Sequence, residues 1–244
     1  MLKSLQKAFK VKEVRDRLLY TFMMLVVIRI GCCLPIPGVD PSYLHDFFSN
    51  LQSSGMGFFN AITGGSFSSM SIFALSITPY ITSSIIMQLL TIAIPKLEEM
   101  QKDGEDGRKK IAEYTRYLTV GLALFESCAM AVGLGGKGLL LEDHRNVWGY
   151  LTVVAAMTAG SALLMWIGER ITDNGVGNGI SIVLLINIVS GTPQDMMTLY
   201  ERFMAGKSVA VATVACIIVL AIIIAIFVFV IIFRAHETRI PVQY

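Results

Sequence analysis

Forty-nine consecutive residues, 47–95, carry no charged side chain. A helix crossing the hydrocarbon core of a bilayer uses roughly 20 apolar residues. The run is therefore too long for one crossing and too short for two with a proper loop between them. Its first half explains the mismatch. Residues 55–70 hold four glycines and three serines, yet also Phe58, Phe59, Ile62 and Phe67. Such a stretch is too polar to face lipid along its length and too apolar for an ordinary solvated loop. Irregular backbone at membrane depth is tolerated only inside protein or along a water-filled cavity. Two readings are open: a segment folded back among the spans, or an external loop with a short interfacial helix.

Charge-free stretches elsewhere mark the other spans. With residues 71–94 they give six: 18–34, 71–94, 117–135, 147–168, 179–194 and 208–233. Of the 244 residues, 54% are hydrophobic and 16% charged, against about 25% charged in soluble domains. This argues against a soluble enzyme, a nucleic-acid binder or a disordered chain, and a net charge of +2 implies no polyanionic partner. Cys32, Cys33, Cys128 and Cys216 lie in apolar runs without CxxC or Cys/His spacing, and read as small hydrophobes.

Basic residues orient the spans. Fifteen Lys and Arg fall in the N-terminal segment and the loops after the even-numbered spans, four in the alternate loops, and Arg29 lies within span 1. Both ends of this sequence are expected in the cytoplasm. Ile30-Gly-Cys32 loosely matches a lipoprotein cleavage site, but Arg29 stands where an apolar residue is required, so span 1 is read as retained. Residues 1–17 mix lysine with Leu2, Leu5, Phe9, Val11 and Val14, which suits an amphipathic helix on the inner membrane surface or a solvated basic tail.

Three further features bear on function. Glycines spaced through residues 174–180 resemble a phosphate loop, but no strand precedes them and no P-loop Lys or Ser/Thr follows. A tight turn with close helix packing is expected instead. Glu126 sits in the middle of span 3 and Thr82 at similar depth in span 2. An ionisable group there is costly, and marks either a functional site or a protonated packing residue. No catalytic set appears: His45, His144 and His236 are scattered, and HExxH, GxSxG and GxGD motifs are lacking. No cofactor or metal is expected.

Several stretches then resemble the SecY family, the channel subunits of the general bacterial protein translocon. They are Val27-Ile-Arg-Ile-Gly31, Pro35-Ile-Pro-Gly38, Gly64-Gly65, Ser71-Ile-Phe-Ala-Leu-Ser-Ile-Thr-Pro-Tyr-Ile81, Gln88-Leu-Leu90, Gly107-Arg-Lys-Lys-Ile111, Tyr114-Thr-Arg-Tyr117, Met165-Trp-Ile-Gly-Glu169, Gly177-Asn-Gly-Ile-Ser181 and Arg239-Ile-Pro-Val-Gln-Tyr244. The resemblance implies an all-α, polytopic transmembrane bundle of ten spans in two inverted halves closing like a clamshell around an hourglass pore. It implies that residues 1–17 are a cytoplasmic helix and that residues 18–200 are the N-terminal half, with a plug helix at about 57–69 and a cytoplasmic loop at 95–116. Residues 201–244 would be span 6 and the start of the next cytoplasmic loop. The family's seventh to tenth spans have no counterpart here, as in a piece of a longer chain or a chain caught during its own insertion.

By the same resemblance the pore ring falls on Ile77, Ile81, Ile180 and Leu184, where the family usually has Ile at the last. The plug falls on Phe58, Phe59, Ile62, Gly64, Gly65 and Phe67. The lateral gate, which opens to lipid for signal sequences, falls on Thr82, Gln88 and Glu126. Bacterial relatives often carry Gln at the position of Glu126, whereas archaeal ones commonly carry the acid. Arg108, Lys109, Lys110 and Arg239 would meet cytoplasmic partners. The implied partners are SecE, SecG, the SecA ATPase, the ribosome, a YidC-type insertase, preproteins, nascent chains and membrane lipid. No sequence-specific nucleic-acid binding is implied beyond contact with ribosomal RNA. The expected role is passage of unfolded polypeptides across the bacterial plasma membrane. The competing class is a solute transporter or ion channel with broken helices, which would place polar ligands near mid-membrane.

Overall fold

A computed structural model describes residues 11–40, 43, 47, 60, 62–141, 145–203 and 209–235. Seven α-helices account for most of them: α1 (Lys12–Cys32), α2 (Thr78–Ala93), α3 (Pro95–Lys102), α4 (Glu105–Leu134), α5 (Val147–Asn174), α6 (Gly179–Phe203) and α7 (Val209–Ala235). Three of them, α4, α5 and α7, are long and apolar enough to cross a membrane. The pair α2 and α3, bent by 101° at Ile94, qualifies as a fourth if taken together. The bend has a local cause. Pro95 pushes the residue before it out of the helical region, and Ile94 is extended at φ −111°, ψ 112°.

The first 191 residues form one compact unit. Its centre is the α4–α5 pair, with α2 packed on α4 and α1 on α5. α1 and α6 run in the same direction. Near the start of α1, Arg17 donates to the Gly175 carbonyl and Thr21 accepts from the Val176 N–H. Near its end, Arg29 donates to Ser190. The glycine-rich stretch before α6 is a turn that lets two helices touch: a Cβ on Gly179 would overlap the Gly168 carbonyl. Asn178 then caps α6, its Oδ1 accepting from the N–H groups of Ile180 and Ser181. The expected tight turn and close helix packing are thus both present.

Two expectations about element bounds need correcting. Residues 71–77, apolar enough to open span 2, are a bridge to Pro35 at Ser71 followed by turns, and helix begins only at Thr78. The charged stretch 105–116, expected as loop, is the start of α4. Within 57–69, residues 57–59 and 61 lie outside the described residues, and 63–69 are turns. Gly64 and Gly65, at φ +65° and +81°, adopt a left-handed backbone that no helix accommodates. Of the N-terminal segment 1–17, residues 1–10 lie outside the described part, and 12–17 are continuous with α1.

In the second unit, Thr192–Tyr244, α7 presents eighteen residues, Cys216–Phe233, none of them buried. Ile, Val and Phe dominate that face, as lipid contact requires.

Candidate functional site

The turn segment leading into α2 is the most deeply buried non-helical stretch among the described residues. Thr63, Ser66, Phe67, Met70, Ser71, Phe73, Ala74, Leu75, Ser76 and Ile77 are each 4% exposed or less. Their apolar side chains divide between two clusters. Met70, Ala74 and Leu75 join Ile36, Ala123, Ala131, Leu139, Val153 and Met157. Phe73 and Ile77 join Ile28, Cys32, Leu164, Ile167, Ile171 and Val183. One irregular strip of chain therefore ties both cores together.

Buried irregular backbone must find partners for its N–H and C=O groups. The segment finds them locally and in the loop after α1. Ile36 donates to Met70 O at 3.0 Å, and Ile72 donates to Leu34 O at 3.0 Å. Asn60 supplies a local staple, its Oδ1 accepting from the Ser68 N–H while its carbonyl accepts from Gly65. The helices make room by lacking side chains. A Cβ on Gly160 of α5 would overlap the Ile72 carbonyl, and one on Gly31 of α1 would overlap the Phe73 ring. Met70 and Ser76 hold φ of +40° and +54°, a conformation non-glycine residues keep only when their surroundings impose it.

The aliphatic candidates come together. Ile77 is fully buried, and Ile81, Ile180 and Leu184 pack half-buried against the same cluster. Ile77 Cδ1 and Ile180 Cγ1 both converge over Gly168, each 3.4 Å from where its Cβ would stand. The four thus share one apolar surface, with Ile77 on its core side and the other three on its rim. Of the plug candidates, Gly64, Gly65 and Phe67 lie in the buried turn segment and Ile62 is half-buried beside it. Phe58 and Phe59 lie outside the described residues.

The gate candidates are less tightly grouped. Thr82 and Gln88 are exposed on α2, and the Thr82 hydroxyl donates to Thr78 O of its own helix. Glu126 is half-buried on α4, next to Ser127, whose hydroxyl bonds Thr158 of α5 at 2.9 Å. α2 and α4 pack together, yet no hydrogen bond joins Thr82 to Glu126. At the other end of α4, Arg108, Lys109 and Lys110 are all exposed, with Lys109 3.8 Å from Asp106. Arg239 lies outside the described residues. Arg116 donates to Glu169 at 2.8 Å and so fastens α4 to α5. On α3 the Lys102 ammonium, hydrogen-bonded to Glu98 at 2.6 Å, holds that carboxyl below its usual range.

Sequence reasoning missed Asn187 and Ser190. Asn187 is 1% exposed in the middle of α6, and its Nδ2 donates to Ser76 Oγ at 3.1 Å. The signal was available, since a polar amide within an apolar span is costly and calls for a reason.

Long apolar helices enclosing a buried irregular segment define a polytopic helical membrane protein with a re-entrant element. Solved structures share this fold. One described as "The structure of a protein conducting channel" matches 93% of this chain and 48% of its own, with TM-score 0.51 and 20% identity. Another, "Sec61 in the Canine ribosome-channel complex from the endoplasmic reticulum", matches 94% and 49%, with TM-score 0.50 and 19% identity. The SecY family model matches residues 71–244, and the chain belongs to the SecY family. The protein translocase subunit SecY of Pseudomonas aeruginosa is 40% identical over 232 residues, covering 95% of this chain and 51% of the relative. That of Escherichia coli K12 is 40% identical over 237 residues, covering 95% and 52%. The SecY of Aquifex aeolicus is 36% identical over 249 residues, covering 100% and 57%. The chain spans about half the length of these curated relatives.

Proposed function

We propose that these 244 residues form the N-terminal half of a protein-conducting channel, the central subunit of a Sec translocon. The observation that carries this is the buried turn segment leading into α2, held among helices, whose Phe73 and Ile77 join an apolar cluster with Ile81, Ile180 and Leu184 on its rim. A carrier of polar solutes would place ligating groups at that convergence. Ile81, Ile180 and Leu184 offer none, and aliphatic side chains suit a gasket indifferent to the sequence passing through it. In this reading residues 57–69 are the plug, Ile81, Ile180 and Leu184 line the ring with Ile77 buried behind them, and α2 and α4 form one wall of a gate to lipid. Thr82, Gln88 and Glu126 bias that gate. The second half of the channel comes from residues beyond the matched half of the family.

The basic-residue count supports an orientation with both ends of this sequence on the cytoplasmic side, the membrane in this reading being a bacterial plasma membrane. Exposed Arg108, Lys109 and Lys110, together with Arg239, would then face SecA or the ribosome. SecE, SecG and a YidC-type insertase are the remaining partners, preproteins and nascent chains the substrates. The test is reconstitution of the full-length protein with SecE in vesicles. Adding SecA, ATP and a preprotein should render the preprotein protease-resistant inside. A vesicle that instead accumulates a small solute, with the preprotein left fully digestible, would contradict the assignment.

A further inference from the structure

Asn187 holds the turn segment at both ends. Its side-chain amide donates to Ser76, just before α2, at 3.1 Å in a buried bond. Its main-chain carbonyl lies against Gly64, at the other end of the segment. A Cβ at Gly64 would stand 2.7 Å from that carbonyl and 2.9 Å from Ser190 Oγ. Ser190 is itself fixed from two sides: its hydroxyl donates to Asn187 O at 2.6 Å, and Arg29 of α1 donates to its Oγ at 2.8 Å. The guanidinium of Arg29 thus backs a hydroxyl that backs the carbonyl on which Gly64 rests. The contact is close because residue 64 has no side chain, and Gly64 already occupies the left-handed region at φ +65°.

The same arrangement is incompletely satisfied. Asn187 Oδ1 is buried and has no hydrogen-bond partner among the described residues. A buried acceptor without a partner opposes the state that buries it. Ser76 carries a positive φ of +54° in that state. The grip on the segment is therefore specific in shape while being weakened by an unpaired acceptor and a strained backbone.

We propose that Asn187 and Ser190, backed by Arg29, are positioning residues that seat the segment in its buried place, and that the strength of this seat sets how readily the channel opens. The inference rests on residues 57–69 being the plug. It assigns their retention to α6. When the segment leaves, Gly64 clears the Asn187 carbonyl, Ser76 is released, and the Asn187 amide is left free to bond water.

The test uses the full-length protein in planar bilayers, reading resting ion conductance, together with export of a preprotein whose signal sequence is weakened. Deleting residues 57–69 tests the plug reading alone and should raise conductance. Gly64→Ala and Gly65→Ala then separate wedge from backbone strain. Both positions are left-handed, but a Cβ at Gly65 meets nothing within 4 Å. Gly64→Ala should raise conductance several-fold more than Gly65→Ala and favour export of the weakened signal. Ser76→Ala and Asn187→Leu each break the buried pair. Each should raise open probability about fivefold, the factor that loss of one buried hydrogen bond implies. The double variant, which removes both polar groups, should return toward the unmodified level, with folded amounts matched by gel filtration. If deletion raises conductance but Gly64→Ala equals Gly65→Ala and the double variant is additive, the seat is refuted while the plug stands. If deletion changes nothing, the plug reading falls and the seat falls with it.

Discussion

Serine replacements at Ile77 and Ile81 should fail in opposite ways, although the two residues are one helical turn apart. Ile77 is 0% exposed and packs with Ile28, Phe73, Leu164 and Ile167, whereas Ile81 is half-buried on the rim of that cluster. Large-to-small changes in a packed core cost roughly 2–5 kcal/mol, more where the site cannot collapse. Beneath Ile77 lies Gly168, which has no side chain to fill the gap, so the cost belongs at the upper end. Ile81 gives up about half that contact, which puts its cost at about 1–2 kcal/mol. Ile77→Ser should therefore lower the thermal midpoint of the purified full-length protein by several degrees. Ile81→Ser should lower the midpoint by less than half as much and raise resting ion conductance, since a polar side chain favours wetting of a dry constriction. Thermal unfolding in detergent and bilayer conductance would be measured on the same preparations. The reasoning is refuted if Ile77→Ser leaves the midpoint unchanged and leaks as much as Ile81→Ser. Ile77 would then face the lumen, and the packing seen around it would not be that of the resting state.

Gly160→Val should be among the most damaging single changes in α5, because its side chain must displace the Ile72 carbonyl; folded yield should fall sharply while Gly121→Val, facing open space on α4, is tolerated. Arg116→Ala should cost only about 0.5 kcal/mol despite its 2.8 Å bond to Glu169, since the Arg116 side chain is 49% exposed and solvent screens the pair; chemical denaturation that shows a loss of several kcal/mol would contradict this. Single cysteines at positions 102 and 137, in a background lacking the native four, should be modified by an impermeant thiol reagent from opposite faces of intact cells and inverted vesicles; labelling from one face would overturn the orientation.

Sequence legibility followed physical cause. The spans of α4, α5 and α7 were readable because a bilayer admits only long charge-free helices. The anomaly of the 47–95 run was readable too, because glycine and serine among aromatics fit neither lipid nor water. Where that anomaly ends was not. Residues 71–77 are as apolar in a buried turn as they would be in a helix, and what decides between the two is the positive φ of Met70 and Ser76, imposed by packing. Conversely, the charged stretch 105–116 suggested a loop, yet its residues propagate a helix well and are anchored by Gly107, whose Cβ would overlap the Met100 carbonyl. Of the site, the four aliphatic candidates came from the family resemblance and the structure packs them on one cluster, but their division into one core residue and three rim residues appears only in their burial. Asn187 escaped because its role lies in contacts made far away along the chain, at residues 64 and 76.

In the proposed channel a polypeptide passes along the face where Ile81, Ile180 and Leu184 converge. A photoreactive side chain placed singly at Ile81 or Leu184 in the full-length protein would test it, using a preprotein stalled midway by a folded C-terminal domain. A light-dependent adduct with the stalled chain is expected at both positions, and adducts with lipid alone from Phe229 on α7, which is 68% exposed. Lipid adducts from Ile81 and Leu184 as well, with no polypeptide captured, would contradict it.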